Sequence, residues 1–126
     1  MRDGYNVVAW GLCSNPNVIA VTYIWYSGDK MMETDTRMNT LFKWSLSGEV
    51  DEMNVQNIMT HEFGHWCSLA DLYDDVDYWL TMYGYSSYGE TDTWIRRHPR
   101  TASKIQPITS LFLKPEKFLF AMNVKY

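Results

Sequence analysis

The sequence predicts an α+β fold in which a small twisted mixed sheet packs on one helix. Stretches rich in β-branched and aromatic residues fill the first third of the chain, as in strands. A helix-like stretch follows, from Asn54 to about Cys67. With 126 residues, 46% of them hydrophobic, the chain can form one domain with its own core.

The strands are predicted from residue pattern and turn chemistry. Tyr5 to Trp10 reads as the first strand, and a turn rich in Ser, Asn and Pro follows it. Val18 to Tyr26 is the strongest strand, and Ser27 to Lys30 ends it with turn residues. Met31 to Asn39 is a third, more polar strand. Together they predict the sheet.

The helix is predicted to begin after Asn54, a good N-cap residue. Its apolar side is expected to pack on the core and consists of Val55, Met59, Phe63 and Trp66. The opposite side would then face a cleft and carries Ile58, His61, Glu62 and His65.

The helix contains the motif H-E-x-x-H at residues 61–65. Residues i and i+4 lie on one helix face, so His61 and His65 can bind the same metal ion. A catalytic zinc takes three protein ligands and a water molecule, whose pKa it lowers to about 7. Glu62 lies beside the two ligands and is the expected general base and acid.

The run from His61 to Asp71 resembles the metzincin zinc-peptidase signature H-E-x-x-H-x-x-G-x-x-H/D. The resemblance implies that His61, His65 and Asp71 bind one Zn²⁺. Ser68 stands where the signature has glycine. If the same positive-φ turn is needed, a residue other than glycine there costs about 1–3 kcal/mol.

A second stretch, Thr81-Met82-Tyr83-Gly84-Tyr85, resembles the Met-turn of the matrixin branch. It implies that Met82 lies beneath the metal and that Tyr83 and Tyr85 line a substrate pocket. Another clan takes its third ligand from a glutamate on a following helix, and Glu90 would be that residue. The sequence around Glu90 does not read as a helix interior, so Asp71 is preferred.

The resemblance covers about residues 3–91 and implies a zinc endopeptidase that acts on a protein or peptide substrate. The substrate would pair with an edge strand formed by Ile19, Ala20, Val21, Thr22 and Tyr23. The family has two further strands and a helix ahead of the point where this sequence begins. A compact variant and a piece of a longer protein both remain open, as does an inactive zinc-binding remnant.

The charge divides the chain at about residue 91. Residues 1–90 carry four Lys or Arg against thirteen Asp or Glu, whereas the last 36 residues carry seven against two. We therefore separate a catalytic core, 1–91, from a basic segment, 92–126, and expect no nucleic-acid partner. Pro99 and Pro107 argue against a long closing helix. The apolar residues beyond them could cover bare sheet or be poorly ordered: Phe112, Leu113, Phe118, Leu119 and Phe120.

The remaining features are weaker. Cys13 is expected in a loop and Cys67 as a small buried hydrophobe, with a disulfide allowed but not required. Ca²⁺ binding by Asp74, Asp75 and Asp77 is conceivable, but a solvated loop is preferred because no calcium-loop pattern accompanies them. No apolar run is long enough to span a membrane, and no leader sequence is visible. Secretion follows only from the resemblance, and the oligomeric state stays open.

Overall fold

The three predicted strands are present and lie side by side. The computed structural model describes residues 2–91 and 117–125. In it β1 is Val7–Gly11, β2 is Val18–Ser27 and β3 is Lys30–Asn39. β2 and β3 form a hairpin in which Gly28 has a φ of +62°, a conformation that glycine adopts without strain. The turn chemistry of the sequence is thereby confirmed.

Two later strands complete the sheet: β6, Tyr85–Ser86, and β7, Lys117–Val124. In the described part of the chain the order is β1-β3-β2-β7-β6. The β1–β3 and β6–β7 pairs are parallel, and β2 is antiparallel to both of its neighbours. The sheet is therefore mixed, as predicted. Two short strands, β4 (Trp44–Ser45) and β5 (Met53–Asn54), form a separate parallel pair.

The position of β2 corrects one expectation. Residues 19–23 were expected to form an exposed edge, but β2 pairs with β3 on one side and with β7 on the other. The residues involved, Ile19, Ala20, Val21, Thr22 and Tyr23, therefore have no free backbone edge in this structure. The error arises because residues 117–124 return to pair with β2 across a long sequence separation.

The helix α1 spans Val55–Trp66 and begins as predicted, since the Asn54 side chain accepts a hydrogen bond from the Asn57 amide at 2.8 Å. Its orientation is the reverse of the expected one. The buried face carries Asn57, Ile58, His61, Glu62 and His65, whereas Phe63 is 46% exposed. Polar groups of the sheet face this side of α1 and pair with it, which makes burial of the polar face favourable.

The main core lies between α1 and the sheet. Its buried members are Ile19, Ala20, Met38, Met53, Ile58, Met122 and Val124. β7 contributes the last two, so part of the basic segment left open by the sequence belongs to the core of the sheet. The expected absence of a closing helix, and the roles of Phe112 and Leu113, concern residues outside the described ranges.

Two smaller expectations can be compared with the structure. Cys13 lies in the loop between β1 and β2, as predicted, and both cysteines are free. Cys67 is exposed, contrary to the prediction, because it caps the C-terminal end of α1 at the surface. Within residues 2–91 and 117–125, no helix is long and apolar enough to cross a membrane.

Candidate metal centre

Three side chains converge beneath the sheet. His61 and His65 lie on adjacent turns of α1, with their Nε2 atoms 3.1 Å apart. Oδ1 of Asp71 lies 3.0 Å from Nε2 of His61 and 3.4 Å from Nε2 of His65. All three side chains are at most 4% exposed. The ligand set implied by the sequence is thus brought together at one point.

The hydrogen bonds of the two imidazole rings determine which kind of ion can bind between His61, His65 and Asp71. Nδ1 of His61 donates to the Thr81 carbonyl at 2.7 Å, and Nδ1 of His65 donates to the Leu69 carbonyl at 2.8 Å. A neutral imidazole with its proton on Nδ1 presents a lone pair on Nε2. Oδ1 of Asp71 is buried and has no hydrogen-bond donor among the described residues. Three acceptor atoms therefore face one another with no proton between them.

Such a cluster needs a cation, because buried acceptors that face one another without a donor are costly. Two imidazole nitrogens and one carboxylate oxygen are an ordinary ligand set for Zn²⁺. The carbonyls that hold the Nδ1 atoms orient both rings, as partners of metal-bound histidines commonly do. The residues present therefore fit the metal that the sequence implies. Among the described residues, only this group brings three metal-binding side chains together.

A proton is the alternative cation. Burial alone lowers the pKa of His61, but pairing with Asp71 and the charge of Glu62 outweigh it and raise the pKa. Burial raises the pKa of Asp71, but its contacts with His61 and His65 outweigh that effect and hold the pKa well below its usual range. Without a metal, a proton shared between His61 and Asp71 would satisfy the cluster.

The turn that ends α1 brings Asp71 close to His61 and His65. The Leu69 amide bonds to the Gly64 carbonyl at 3.0 Å, and the Ser68 amide bonds to the His65 carbonyl at 2.9 Å. These two bonds define a Schellman motif, in which the residue at Ser68 is left-handed. Its φ is +62°, in the region where glycine is favoured. The strained turn expected at this position is therefore present.

Met82 lies directly against α1, the helix that carries His61 and His65. It is 8% exposed, and a Cβ added to Gly64 would overlap with its sulfur atom. The Leu72 amide bonds to the Met82 carbonyl at 2.8 Å, which ties this turn to the segment that carries Asp71. The same turn presents the Thr81 carbonyl to His61. The sequence indicated Met82 but gave no signal for the Thr81 contact, which is made by the backbone.

Glu62 is fully buried on the same face of α1. Its Oε2 accepts a short hydrogen bond from the Thr22 hydroxyl of β2. Thr22 in turn lies 2.7 Å from the Thr36 hydroxyl, which accepts a hydrogen bond from Trp66 Nε1 at 2.9 Å. Because Trp66 can only donate, the Thr36 proton is free to point to Thr22, and the Thr22 proton to Glu62. Sequence reasoning missed this chain, because it joins three separate elements.

The other carboxylate oxygen of Glu62, Oε1, is buried without a hydrogen-bond partner in the described structure. Burial raises the pKa of Glu62, and the neighbouring His61 and His65 counter part of that effect. One oxygen is thus fixed by Thr22 and the other is free to accept a proton. An oxygen free to accept a proton is one of the requirements of a general base.

The aromatic residues near the centre differ from the expected set. Tyr73 donates its hydroxyl to Oδ2 of Asp71 at 3.2 Å, and burial raises its pKa. A pocket of about 410 Å³ lies beside Asp71 and is lined by Ala70, Asp71, Tyr73, Leu119, Phe120, Ala121 and Asn123. Tyr83 and Tyr85 are not among its lining residues, and Tyr83 is only 4% exposed. The substrate pocket predicted for these two tyrosines stays a prediction.

Two alternative metal assignments receive no support. Glu90 accepts hydrogen bonds from the Ser86 hydroxyl at 2.7 Å and the Ser87 amide at 2.9 Å, and it is not part of the His61 cluster. The acidic loop for which calcium was conceivable but a solvated loop was preferred contains a short 3-10 turn at Asp75–Asp77. Within the described ranges they do not gather into a metal-binding group.

No family model, no curated protein and no solved structure matches this chain. Inferences about its activity therefore depend on the geometry of the centre and on the resemblance of its motifs.

Proposed function

We propose that the protein is a zinc-dependent endopeptidase of the matrixin-like metzincin type. The observation that carries the proposal is the convergence of three buried acceptor atoms, from His61, His65 and Asp71, next to a buried glutamate. The left-handed turn at Ser68 supports the resemblance because the signature has a positive-φ turn there, and the packing of Met82 on Gly64 sets that methionine against the helix of the two histidines.

A zinc ion in this centre would polarise a peptide carbonyl and lower the pKa of a water molecule. The residues of the chain supply the rest. His61, His65 and Asp71 would hold the ion, and the Thr81 and Leu69 carbonyls keep the two rings in place. Glu62 would accept a proton at Oε1 while Thr22 fixes Oε2, and it would then pass the proton to the leaving amine.

A second candidate is a zinc-binding protein without peptidase activity. It is favoured by the complete burial of His61 and His65 and by the position of β7 against β2. A peptide cannot pair with β2 while β7 does so. The two candidates share the metal and differ in whether substrate reaches it.

Hydrolysis of a quenched-fluorescence peptide library by the zinc-loaded protein distinguishes the two. We expect hydrolysis by the wild type, and we expect Glu62→Ala to retain zinc while its rate falls by about 10²–10⁴-fold. Glu52→Ala, outside the centre, is the matched control and should behave as wild type. Unchanged turnover in Glu62→Ala would refute the mechanism. The second candidate would be favoured if the wild type bound its full complement of zinc but neither it nor any variant hydrolysed peptide.

A further inference from the structure

The two halves of β7 have different surroundings. Met122 and Val124 are buried in the main core at 3% and 6% exposure, whereas Leu119 is 57% exposed. β6 pairs with β7 only at Asn123 and Val124. In the described part of the chain, residues 119–121 are therefore paired with β2 alone, and all three line the pocket beside Asp71. The C-terminal half of β7 is buried and paired on both sides, whereas its N-terminal half is paired, within the described residues, with β2 alone.

The directions of the backbone amides show which residues of the N-terminal half of β7 form hydrogen bonds with β2. The Asn123 amide bonds to the Gly84 carbonyl and the Val124 amide to the Asn17 carbonyl, so even-numbered amides point towards β2. Because amide directions alternate along a strand, the Phe120 amide also faces β2. Phe120 and its partner Thr22 therefore form a hydrogen-bonded pair, and Leu119 and Tyr23 form the neighbouring non-bonded pair.

Phe120 reaches the metal centre. Directly opposite residues on neighbouring strands point to the same face, and Thr22 points to Glu62. The Phe120 ring accordingly stacks on the His65 ring, with centroids 4.5 Å apart and planes inclined by 17°. A side chain of β7 thus covers one of the proposed metal ligands.

The strand also follows the path that an extended peptide would take. β7 runs antiparallel to β2 and parallel to β6, and its Phe120 lies against His65. A free strand edge binds an extended peptide through its backbone groups. The edge of β2 would be free if residues 119–121 moved away.

We propose that residues 119–121 occupy the peptide-binding groove of the metal centre, so that the chain itself holds the groove closed. The inference rests on the proposed peptidase function. Substrate would enter when this half-strand separates from β2, while Met122 and Val124 keep the rest of β7 in the core. Local opening begins where side chains are least buried, and in this half-strand that is Leu119, whereas Phe120 packs against Ile24 and Tyr26 and would have to leave them.

A reversible lock tests the proposal in the full chain. Tyr23→Cys combined with Leu119→Cys, in a background of Cys13→Ser and Cys67→Ser, places two thiols at a non-hydrogen-bonded pair, where Cβ atoms approach closely enough for a disulfide. Oxidation should slow both peptide hydrolysis and the transfer of zinc to a chromogenic chelator by about tenfold, because opening is blocked. Reduction should restore both rates. Tyr23→Cys without the second cysteine should respond to neither treatment.

A second variant tests whether the Phe120 ring covers His65. Phe120→Ala should raise both the hydrolysis rate and the rate of zinc transfer by about tenfold, since His65 loses its covering ring. Phe120→Tyr, which keeps a ring, should stay within about twofold of wild type by the same reasoning. A role of Phe120 in stability alone would speed zinc transfer but lower hydrolysis, and that result would overturn the proposal.

The outcomes separate this inference from the proposed function. If oxidation and Phe120→Ala change zinc transfer as expected but no form hydrolyses peptide, the groove is covered and the peptidase assignment fails. If the wild type hydrolyses peptide through Glu62 but neither rate responds to the lock or to Phe120→Ala, the protein is a peptidase and residues 119–121 do not close it.

Discussion

Two buried polar clusters lie side by side between α1 and the sheet, and they differ in how their polar atoms are satisfied. In the chain formed by Trp66, Thr36, Thr22 and Glu62, each hydrogen bond has a donor and an acceptor. In the cluster of His61, His65 and Asp71, the atoms that face one another are all acceptors when both rings are neutral. In the first cluster, among the described residues, only Oε1 of Glu62 lacks a partner, whereas in the second cluster all three facing acceptor atoms need a cation.

The difference predicts which part of the molecule depends on metal. Unpaired buried acceptors cost free energy that a bound ion recovers, so metal binding to the second cluster should also stabilise the fold. The first cluster orients Glu62 whether or not the metal is present. Substitutions in the two clusters should therefore have different effects on zinc content and on the free energy of unfolding.

The largest effect is expected on removal of a metal ligand. Asp71→Ala should lower zinc affinity by more than about 100-fold, because changes to residues that merely support ligands already cost about 10–100-fold. His61→Ala and His65→Ala should have still larger effects. Asp74→Ala is the matched control and should retain the wild-type zinc content, measured by elemental analysis after dialysis. Full zinc retention in Asp71→Ala would exclude Asp71 as a ligand.

The hydrogen-bonded cluster should respond to loss of its donor. Thr22→Val removes the hydroxyl that bonds to Glu62 and should destabilise the protein by about 1–3 kcal/mol, because a buried carboxylate oxygen is left unpaired. Zinc should remain bound and hydrolysis should fall. Thr22→Ser keeps the hydroxyl and should restore both stability in urea and activity. Equal behaviour of the valine and serine variants would show that the hydrogen bond has no role.

A smaller effect is expected where Gly64 meets Met82. Gly64→Ala introduces a Cβ that overlaps with the Met82 sulfur, which should cost about 1–3 kcal/mol, while alanine favours the helix by about 1 kcal/mol. In the Met82→Ala background the overlap disappears, so the same substitution should become stabilising. A double-mutant cycle of urea denaturation measures this change of sign. If Gly64→Ala destabilises the wild type and the Met82→Ala variant equally, the cost does not come from overlap with Met82.

The smallest effect is expected at the turn that delivers Asp71. Ser68→Gly should stabilise the protein by about 1 kcal/mol, because glycine adopts a φ of +62° without strain. Ser14→Gly, in an exposed loop without a positive φ, should give no gain. Thermal unfolding of the metal-free proteins checks the pair. A loss of stability in Ser68→Gly would mean that the serine side chain contributes more than the strain costs.

Local features were predictable from the sequence, and features that depend on distant pairing were not. Helix periodicity fixes the juxtaposition of His61 and His65, and the capping role of Asn54 is a property of that residue type. The edge position of β2 was predicted wrongly, because no local pattern shows that residues 117–124 pair with it. The reversed orientation of α1 has the same origin, since the Thr22 and Thr36 hydroxyls that receive its polar face lie on separate strands.

The backbone also supplies contacts that a list of side chains cannot reveal. The Thr81 and Leu69 carbonyls orient the two imidazoles, and any residue at either position has a carbonyl. Tyr73 lies two residues after Asp71, and its hydroxyl bonds to the Asp71 carboxylate. The ligands of the centre were therefore predictable, while the groups that position the ligands required the structure.

The zinc stoichiometry of the purified full-length protein tests the central claim most directly. Elemental analysis after dialysis should find about one zinc per chain in the wild type and almost none in the His61→Ala/His65→Ala variant, as expected for a site with three protein ligands. A wild type that binds no zinc even when the metal is supplied, or a double variant that retains it, would contradict the assignment of His61, His65 and Asp71 as a metal centre.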